Sequence, residues 1–563
     1  MKKAFLGIMV LLISFNSLKA QEPEFTFGES FSIYDDQTRG LIGVLNEVVM
    51  ERVFLMENAK LLGGNTFAHQ HGVSYHDKTS LKRSTIKSYP LLKANGVDKP
   101  EKAILVSEAL VGDTLIIFYQ FENKTLKKDQ LFAWAVNALT LEPFSKEALL
   151  LKEVGSRSKE GYSSFYVSHF KESNLIFVNY FNYATDENAS TIFLNRYNTT
   201  LELQAEKSHK VKGSKFGAGI DRAIFTKNFD LLLVLRYSKK KNYSIDDPRY
   251  FTLVGYPTGS STSSETEIVI EGGNAVNCDV YETAENKLIA VGNFGQIEDR
   301  GSEKDGFVGG SYSVDLDPDN LTALSTQEEK FTNDQIINMY PVSNNPNKPN
   351  TNRNYETSLL SRVGFLSDPT TGAFLYVTAS KLIIERTTTT SSNTTFKSGS
   401  VVATYVDKEG KIMWQKVIPR AAFINGMSTG LYTEILRNGN KFYIIFNDSA
   451  KNIPVFKAAA SKKGKKPVKS SASAVERIEF PSDATPEVYP WNLTNAVYRF
   501  TELDAQGNMS VIFYEPELLH KNKKNPILNT DAIIRLGEGD YVIGGLEAGM
   551  LGPKNHSLIR IKF

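Results

Sequence analysis

The sequence predicts an all-β protein, built as a single β-propeller of seven or eight four-stranded blades, and three observations support this fold class. Short, strongly apolar segments recur along the chain, each is followed by a segment in which apolar and polar residues alternate, and turn-forming residues separate these pairs. Several short strands in units of about 40 to 60 residues are typical of propellers. One such unit cannot bury both faces of its sheet, so neighbouring sheets must stack and the ring must close.

The apolar segments set the period of the repeat. They are LIIF at Leu115, LIFV at Leu175, LLLV at Leu231, LIAV at Leu288, FLYV at Phe374, FYII at Phe442 and YVIG at Tyr541. The first three steps are 60, 56 and 57 residues, and the later, longer steps contain polar insertions. Their alternating partners are FAWAV from Phe132, TIFLN from Thr191, FTLV from Phe251, SYSV from Ser311, VVATYV from Val401, VYRF from Val497 and LIRIKF from Leu558. This systematic pairing predicts one repeated unit and not several unrelated domains.

The clearest copy of the unit is VVATYVDKEGKIMWQKVI, residues 401–418. Two alternating segments flank a break that begins with Asp407 and ends with Gly410. Because Asp accepts hydrogen bonds from turn backbone and Gly tolerates a positive φ, the break predicts a β-hairpin with a type I turn and a bulge. Comparable turns begin at Asp77, Asn137, Asn198, Pro257, Asp317 and Asp504.

The two ends of the chain are predicted to pair and close the ring. The last unit stops after its third strand, at Phe563, while EFTFGESFSIY, residues 24–34, alternates apolar and polar residues. Pairing these ends supplies the missing fourth strand and removes two exposed strand edges. The propeller has eight blades if residues 41–89 form a complete blade, and seven if they only donate strands.

Residues 1–20 are predicted to be a signal peptide. Lys2 and Lys3 precede an apolar run over residues 4–15, and Ser17 and Ala20 precede a polar start at Gln21. The run is shorter than the ~20 residues that span a bilayer. We therefore expect residues 21–563 to form an exported propeller without a transmembrane anchor, located in the periplasm, at the outer-membrane periphery or outside the cell.

The charge balance and the single cysteine exclude other classes of protein. The chain has 65 Lys and Arg against 63 Asp and Glu, and loss of residues 1–20 lowers its formal charge from +2 to −1. Such a chain has no overall field to attract nucleic acid. Cys278 has no second cysteine to pair with, and its alternating neighbours predict a buried position on a strand. The fold must therefore be held by its core.

Three polar or low-complexity insertions interrupt the repeat. Residues 332–354 include SNNPNKPNTNRN and predict a long surface loop. Residues 387–395 have the sequence TTTTSSNTT, which favours an extended hairpin that projects from its blade. Residues 457–474 carry six lysines and no acid, which predicts a mobile loop.

Three histidines within eight residues are the metal-site candidates in the sequence. His69, His71 and His76 lie in FAHQHGVSYH, and His-x-His on a strand places two rings on one face, where a third ligand could complete a Zn or Cu site. No Cys or acidic pair stands nearby, so a polar loop and the start of a strand explain these histidines better than a metal site does, and we assign no cofactor.

Asp315, Asp317 and Asp319 resemble the opening of a calcium loop, but the Gly and Glu positions are Asn320 and Thr326. A β-turn is therefore predicted there.

The familiar catalytic motifs are absent. The sequence has no nucleophile elbow, no phosphate-binding loop and no His-Glu-x-x-His motif. It also lacks the SxDxGxTW boxes of sialidase-like propellers and the Trp-Asp dipeptides of typical WD40 repeats. We assign no catalytic residue, and these absences favour a non-enzymatic function without deciding it.

Segments such as LIIFYQFENK, LFAWAVNALTLEPF and VVATYVDKEGKIMWQKVIP, together with the export signal, resemble secreted bacterial WD40-like β-propellers of the Gram-negative cell envelope. The resemblance covers nearly all of the mature chain. It implies an exported ring of blades, and it carries over no reaction and no site residue.

These observations leave three hypotheses. The first is an envelope binding or scaffold protein that contacts a protein or a glycan through one face of the propeller. The second is a propeller-fold enzyme, a hydrolase or lyase that acts on glycans. The third is an outer-membrane β-barrel, because the chain ends in LIRIKF with a terminal aromatic residue. No oligomeric state is predicted.

Overall fold

The protein is an eight-bladed β-propeller made of eight separate antiparallel sheets. The computed structural model describes residues 23–563 except for 28–30, 33–35, 62–63, 156–163, 172, 183–189, 213–215, 240–249, 261, 272, 301–302, 333–334, 336–359, 388–391, 426–432, 462–467, 470–474, 481–487, 489–495, 515–525 and 550–551. The predicted fold class is confirmed and the signal peptide lies outside the described residues. The barrel alternative is wrong, because it requires one closed sheet and these strands divide among eight.

Two short strands, β1 (Glu24–Phe27) and β2 (Phe31–Ser32), precede the first complete blade. Blade 1 consists of β3 (Asp36–Leu45), β4 (Val48–Leu61), β5 (Gly64–Asp77) and β6 (Arg83–Ser88). A single 3-10 turn, Pro100–Lys102, leads into blade 2, which consists of β7 (Ile104–Val111), β8 (Thr114–Asn123), β9 (Lys128–Asn137) and β10 (Leu149–Gly155). Blade 3 consists of β11 (Tyr166–Phe170), β12 (Leu175–Asn182), β13 (Thr191–Asn198) and β14 (Leu203–Lys210). Blade 4 consists of β15 (Phe216–Ile224), β16 (Phe229–Ser238), β17 (Tyr250–Pro257) and β18 (Ser264–Glu267).

The remaining blades carry additions to the same four-stranded plan. Blade 5 has a divided first strand, β19 (Asn274–Ala275) and β20 (Asp279–Glu282), followed by β21 (Leu288–Arg300), β22 (Glu303–Leu316) and β23 (Ala323–Lys330). Blade 6 consists of β24 (Leu360–Ser367), β25 (Phe374–Thr387), β26 (Ser392–Val406), β27 (Ile412–Ile418) and an added β28 (Ala422–Asn425). Blade 7 consists of β29 (Glu434–Asn438), β30 (Lys441–Ser449), helix α1 (Asn452–Ser461), β31 (Val468–Lys469), β32 (Val475–Phe480), β33 (Ala496–Leu503) and β34 (Met509–Tyr514). Blade 8 consists of β35 (Pro526–Gly537), β36 (Asp540–Gly549) and β37 (Gly552–Lys562), completed by β1 and β2.

The first strand of each blade lies next to the axis of the ring. Contacts between neighbouring blades join β3 to β7, β7 to β11 and β24 to β29, and β3 also contacts β35 of the last blade. Because these are all first strands, the inner wall of the ring is built from them. The fourth strands lie at the outer edge.

The chain ends pair as predicted. Strand β1 adds to the outer edge of blade 8, with Glu24 opposite Lys562 and Phe27 opposite Ile559. Since residues 36–88 form a complete blade of their own, the blade count is eight and not seven. The Phe25 ring packs on three aromatic rings of blade 7, at centroid distances of 6.0, 5.9 and 4.9 Å from Tyr498, Phe500 and Tyr514. The N-terminal strand thus joins the last two blades.

The recurring apolar segments are the second strands of the blades and form the core. Residues 231–235 of β16 have no exposed surface, so both faces of this strand are covered. Trp414, on the alternating strand β27, is less buried than these residues, and its ring is half-buried. The ring stacks on Tyr405 at a centroid distance of 5.3 Å, and its Nε1 donates a hydrogen bond to the Ala505 carbonyl of blade 7 at 3.0 Å. Packing between sheets, more than within them, excludes water.

The predicted Asp and Asn turns are present, and several contain an unpredicted leucine. Asp77 accepts hydrogen bonds from the backbone N–H groups of Thr79 and Ser80 at 3.1 and 2.7 Å. The turn ends at Leu81, which is fully buried with a φ of 56°. A left-handed leucine costs about 1–2 kcal/mol, and burial of its side chain contributes about 1.5–3 kcal/mol in return. The same backbone conformation recurs at Leu141, Leu201 and Leu321, whose φ values are 60°, 66° and 64°.

The insertions behave differently from one another. The segment 457–474 begins inside helix α1, where Phe456 is fully buried, so the expectation of a loop is wrong for residues 457–461. Strands β25 and β26 run through most of the threonine-rich segment 387–395. Most of segment 332–354 lies outside the described residues.

Replacing the ring that anchors β1 tests the closure of the propeller. We expect Phe25→Ala to lower the free energy of unfolding by about 2–3 kcal/mol, because the half-buried ring loses its aromatic contacts. Urea denaturation of the protein measures this change. Thr26→Ala, at the exposed position next in the strand, is the control and should cost less than about 1 kcal/mol. Equal effects of the two substitutions would contradict the anchoring role.

Candidate functional site

The two faces of the propeller differ in what they present. The turns between first and second strands and those between third and fourth strands emerge on one face, which we call the turn face. The connections between second and third strands, and those between blades, emerge on the opposite face, which we call the hairpin face. On the turn face, Asn46 and Glu47 alone join β3 to β4, and residues 112–113 alone join β7 to β8.

Three blades extend long hairpins on the hairpin face. Strands β4 and β5 have 14 residues each, β21 and β22 have 13 and 14, and β25 and β26 have 14 and 15, whereas β12 and β13 have 8. In blade 1, β3 accompanies β4 only as far as Leu55, and β6 accompanies β5 only from Gly72. Residues 56–61 therefore pair with no described strand other than β5. At ~3.3 Å per residue, this extension projects by about 20 Å.

A charged cluster joins the inner strands of blades 4, 5 and 6. Asp279 of β20 forms ion pairs with Arg362 of β24 and, with 3.9 Å between Nε and Oδ2, with Arg222 of β15. The carboxylate is 1% exposed, and the two guanidinium side chains are 27% and 38% exposed. Burial raises the pKa of Asp279 above its ordinary value, and the two arginines offset that effect only in part. The like charge of Asp221 raises it further.

A second charged cluster joins the inner strand of blade 2 to blade 1. Glu108 of β7 forms an ion pair with Arg52 of β4 and accepts a hydrogen bond from the Tyr89 hydroxyl at 2.9 Å. Glu108 is 1% exposed and Arg52 is 35% exposed. Burial raises the pKa of Glu108, and the nearby Arg52 lowers it again in part.

Both clusters bury the carboxylate and leave the arginine side chains partly exposed. Arginine presents several N–H donors in a fixed fork and suits carboxylate, phosphate or hydroxyl groups. Asp279 and Glu108 are held by these arginines and are not placed as an open acid and base pair.

The structure separates the three histidines proposed as metal ligands. All three lie on β5, whose pairing with β4 has no bulge, so His76 projects from the face opposite to His71. The His69 side chain lies outside the described residues. Among the residues that the structure describes, no group of three His, Cys, Asp or Glu side chains is arranged to hold a metal ion.

His76 belongs instead to a buried cluster where the ring closes. Its Nε2 lies 3.1 Å from Glu51 Oε2 and 3.0 Å from Ser74 Oγ, and Glu51 Oε1 lies 2.7 Å from Nε2 of His556 in blade 8. All four residues are at most 2% exposed. Burial tends to raise the pKa of Glu51, but His556 and His76 outweigh it and lower the pKa to about 2. Local spacing could not reveal this cluster, because Glu51 and His556 lie near opposite ends of the chain.

The other sequence candidates have structural roles. Asp317 begins a turn and accepts the backbone N–H groups of Asp319 and Asn320 at 2.8 and 3.2 Å, as expected for a turn and not a calcium loop. Cys278 is buried as predicted, but it lies between β19 and β20 and not within a strand. Its burial raises the pKa of the thiol, which disfavours the reactive thiolate.

Among the described residues, no helix is both long and apolar enough to cross a membrane.

Comparisons with known proteins give structural likeness alone. No protein-family model and no curated protein matches the sequence. The WD40 domain of SCAP from fission yeast is similar over 96% of this chain and 98% of that chain, with 8% identity and a TM-score of 0.34. A beta-fructofuranosidase from Bombyx mori is similar over 88% of this chain and 93% of that chain, with 8% identity and a TM-score of 0.30. An alpha-L-arabinofuranosidase from Fusarium graminearum is similar over 64% of this chain and 93% of that chain, with 8% identity and a TM-score of 0.30. At these values the likeness supports no inference about function.

The Glu51 cluster predicts an acid-sensitive closure. Because the pKa of Glu51 falls from 4.5 to about 2 on folding, its stabilisation is present above pH 4.5 and is lost as the pH falls towards 2. We expect Glu51→Gln to cost about 3 kcal/mol at neutral pH and far less near pH 2. Urea denaturation at both pH values measures the difference. Glu47→Gln, at an exposed turn position of the same blade, should cost little at either pH. A pH-independent cost of Glu51→Gln would contradict the assignment.

Proposed function

We propose that the protein is an exported binding or scaffold protein of the bacterial cell envelope that contacts a partner through its hairpin face. The observation that carries this proposal is the inequality of the two faces, since the long hairpins of blades 1, 5 and 6 project on the same side. The predicted signal peptide and the resemblance to secreted propellers support the location. The site of action is the periplasm, the outer-membrane periphery or the cell exterior.

The hairpin of blade 1 is the proposed principal contact. The backbone of residues 56–61 pairs on one side only within the described strands, an arrangement that suits strand addition by an extended peptide. The tip has the sequence VFLMENAKLLGGNTF, whereas the blade 5 tip, QIEDRGSEKDGF, is highly charged. Charged edges resist strand addition. A protein partner therefore fits blade 1 better than a glycan does.

Truncation of single hairpins tests this proposal. Leu55 and Gln70 lie opposite each other, so Asn-Gly can replace residues 56–69 and close the shortened hairpin with a tight turn. We expect cross-linked envelopes to yield a partner with the tagged mature protein, and its recovery to fall at least tenfold with this variant. In the matched control, Asn-Gly replaces residues 297–306 of blade 5 between the opposed Gln296 and Phe307.

An unchanged melting temperature of both variants establishes that the propeller remains closed. Equal recovery of the partner by the wild type and the blade 1 variant would contradict the proposal. Loss of recovery with the blade 5 variant alone would move the contact to blade 5.

The rival function, a hydrolase or lyase acting on glycans, has one observation in its favour. Asp279 has a raised pKa and lies near Asp221 at the inner wall, and a raised carboxyl pKa is a property of general acids in glycosidases. If the rival is correct, the wild type turns over a polysaccharide and Asp279→Asn abolishes that turnover. We expect the wild type to cleave no glycosidic bond in such a screen, because Asp279 is held in ion pairs with Arg362 and Arg222.

A further inference from the structure

Three side chains at the outer edge, between blades 3 and 4, have the connectivity of a hydrolytic triad. Ser263 Oγ lies 2.6 Å from Nδ1 of His209, and Nε2 of the same ring lies 2.7 Å from Glu265 Oε2. His209 belongs to β14, Glu265 to β18, and Ser263 immediately precedes β18. Because residues two apart on a strand share a face, Ser263 and Glu265 both face the imidazole of the neighbouring blade.

The hydrogen bonds fix the role of each ring nitrogen. A carboxylate can only accept, so Nε2 of the neutral imidazole carries the proton and donates to Glu265. Nδ1 is then the acceptor for the Ser263 hydroxyl. Glu265 is itself held by the backbone N–H of Lys212 at 3.0 Å. Nucleophile, base and orienting carboxylate are thus connected in the order that activates a serine.

The accessibility of the three groups matches these roles. The side chains of His209 and Glu265 are 6% and 3% exposed, so the hydrogen bond between them is shielded from water. Ser263 is half-buried and remains reachable from solvent. A shielded carboxylate stabilises an imidazolium more strongly than an exposed one.

A polar groove of about 560 Å³ lies near this cluster, between blades 3 and 4, although none of the three residues lines it. Ser208, which precedes His209, lines the groove, as does Ser260, whose hydroxyl lies 2.9 Å from that of Thr262. Charged side chains from both blades complete the lining: Arg196, Glu206, Lys207 and Asp230. Such a lining offers both donors and acceptors and suits a substrate rich in hydroxyl groups.

We propose that Ser263, His209 and Glu265 form an esterase site that removes small acyl groups from a hydroxyl-rich carrier such as a sugar. Ser263 Oγ attacks the ester carbonyl while its proton passes to Nδ1 of His209, and Glu265 stabilises the resulting imidazolium. The C–O bond to the carrier breaks, and the imidazolium returns the proton to the leaving alkoxide. Water then attacks the acyl-serine with His209 as base, releasing the acid and regenerating Ser263. This activity is independent of the hairpin face.

A fluorophosphonate probe tests the proposal on the full mature chain. Ser263 Oγ displaces fluoride from phosphorus and loses its proton to His209, so peptide mass spectrometry should find the adduct on Ser263. We expect Ser263→Ala to abolish labelling and His209→Gln to slow it by about 100-fold, the effect typical of losing a general base. The same variants should lose hydrolysis of p-nitrophenyl acetate.

Ser264→Ala is the matched control, because Ser264 is the next residue and projects from the opposite face of the strand. It should label and hydrolyse like the wild type. Circular dichroism and melting temperatures identify any variant that fails to fold, and Glu265→Gln then replaces His209→Gln in the comparison. Absence of the adduct on Ser263 in the wild type, or unchanged labelling in a folded variant that lacks the base or the carboxylate, would overturn the proposal.

Discussion

The structure depends on the stacking of sheets that are apolar on both faces. The second strand of a blade, such as residues 231–235 of β16, has no exposed surface because a neighbouring blade covers each of its sides. No blade can therefore be stable alone, and every blade needs two neighbours. For blades 1 and 8 that requirement is met only when the ring closes. The pairing of β1 with β37 and the buried Glu51 cluster lie at this last joint.

Ion pairs between blades recur around the ring and fix how the sheets are aligned. Arg52 and Glu108 join blades 1 and 2, Lys152 and Glu206 join blades 2 and 3, and Lys287 and Glu409 join blades 5 and 6. An apolar interface tolerates a small shift of one sheet relative to the next. An ion pair across the interface does not, because the shift would separate the two charged groups. Where the carboxylate is buried, as with Glu108, losing its arginine would leave an uncompensated charge and cost several kcal/mol. The inner clusters therefore serve alignment, and their arginine side chains are partly exposed.

Local pattern revealed the blades but not the contacts between them. Alternation and turn residues are properties of neighbouring positions, so the hairpin at residues 401–418 and the closing strand at residues 24–27 could be predicted. The left-handed leucines could not be predicted, because the burial that offsets the positive φ of Leu81 is visible only in the folded structure. The contact between Ser263 and His209 could not be predicted either, because the two residues lie on different blades and their spacing in the sequence does not indicate that they meet. The long hairpins were detected only in part, at the threonine-rich segment of blade 6.

The position of β1 has a consequence for the order of assembly. The ribosome makes Glu24 before the eight blades and its partner Lys562 after them, so β1 cannot pair until all eight blades have been synthesised. Pairings between such distant residues carry a large entropic cost and form slowly. Until then the incomplete ring exposes the apolar side of its first blade and the open edge of its last, and both can attract other chains. A chain interrupted before its final strand would remain an open arc that cannot become a propeller.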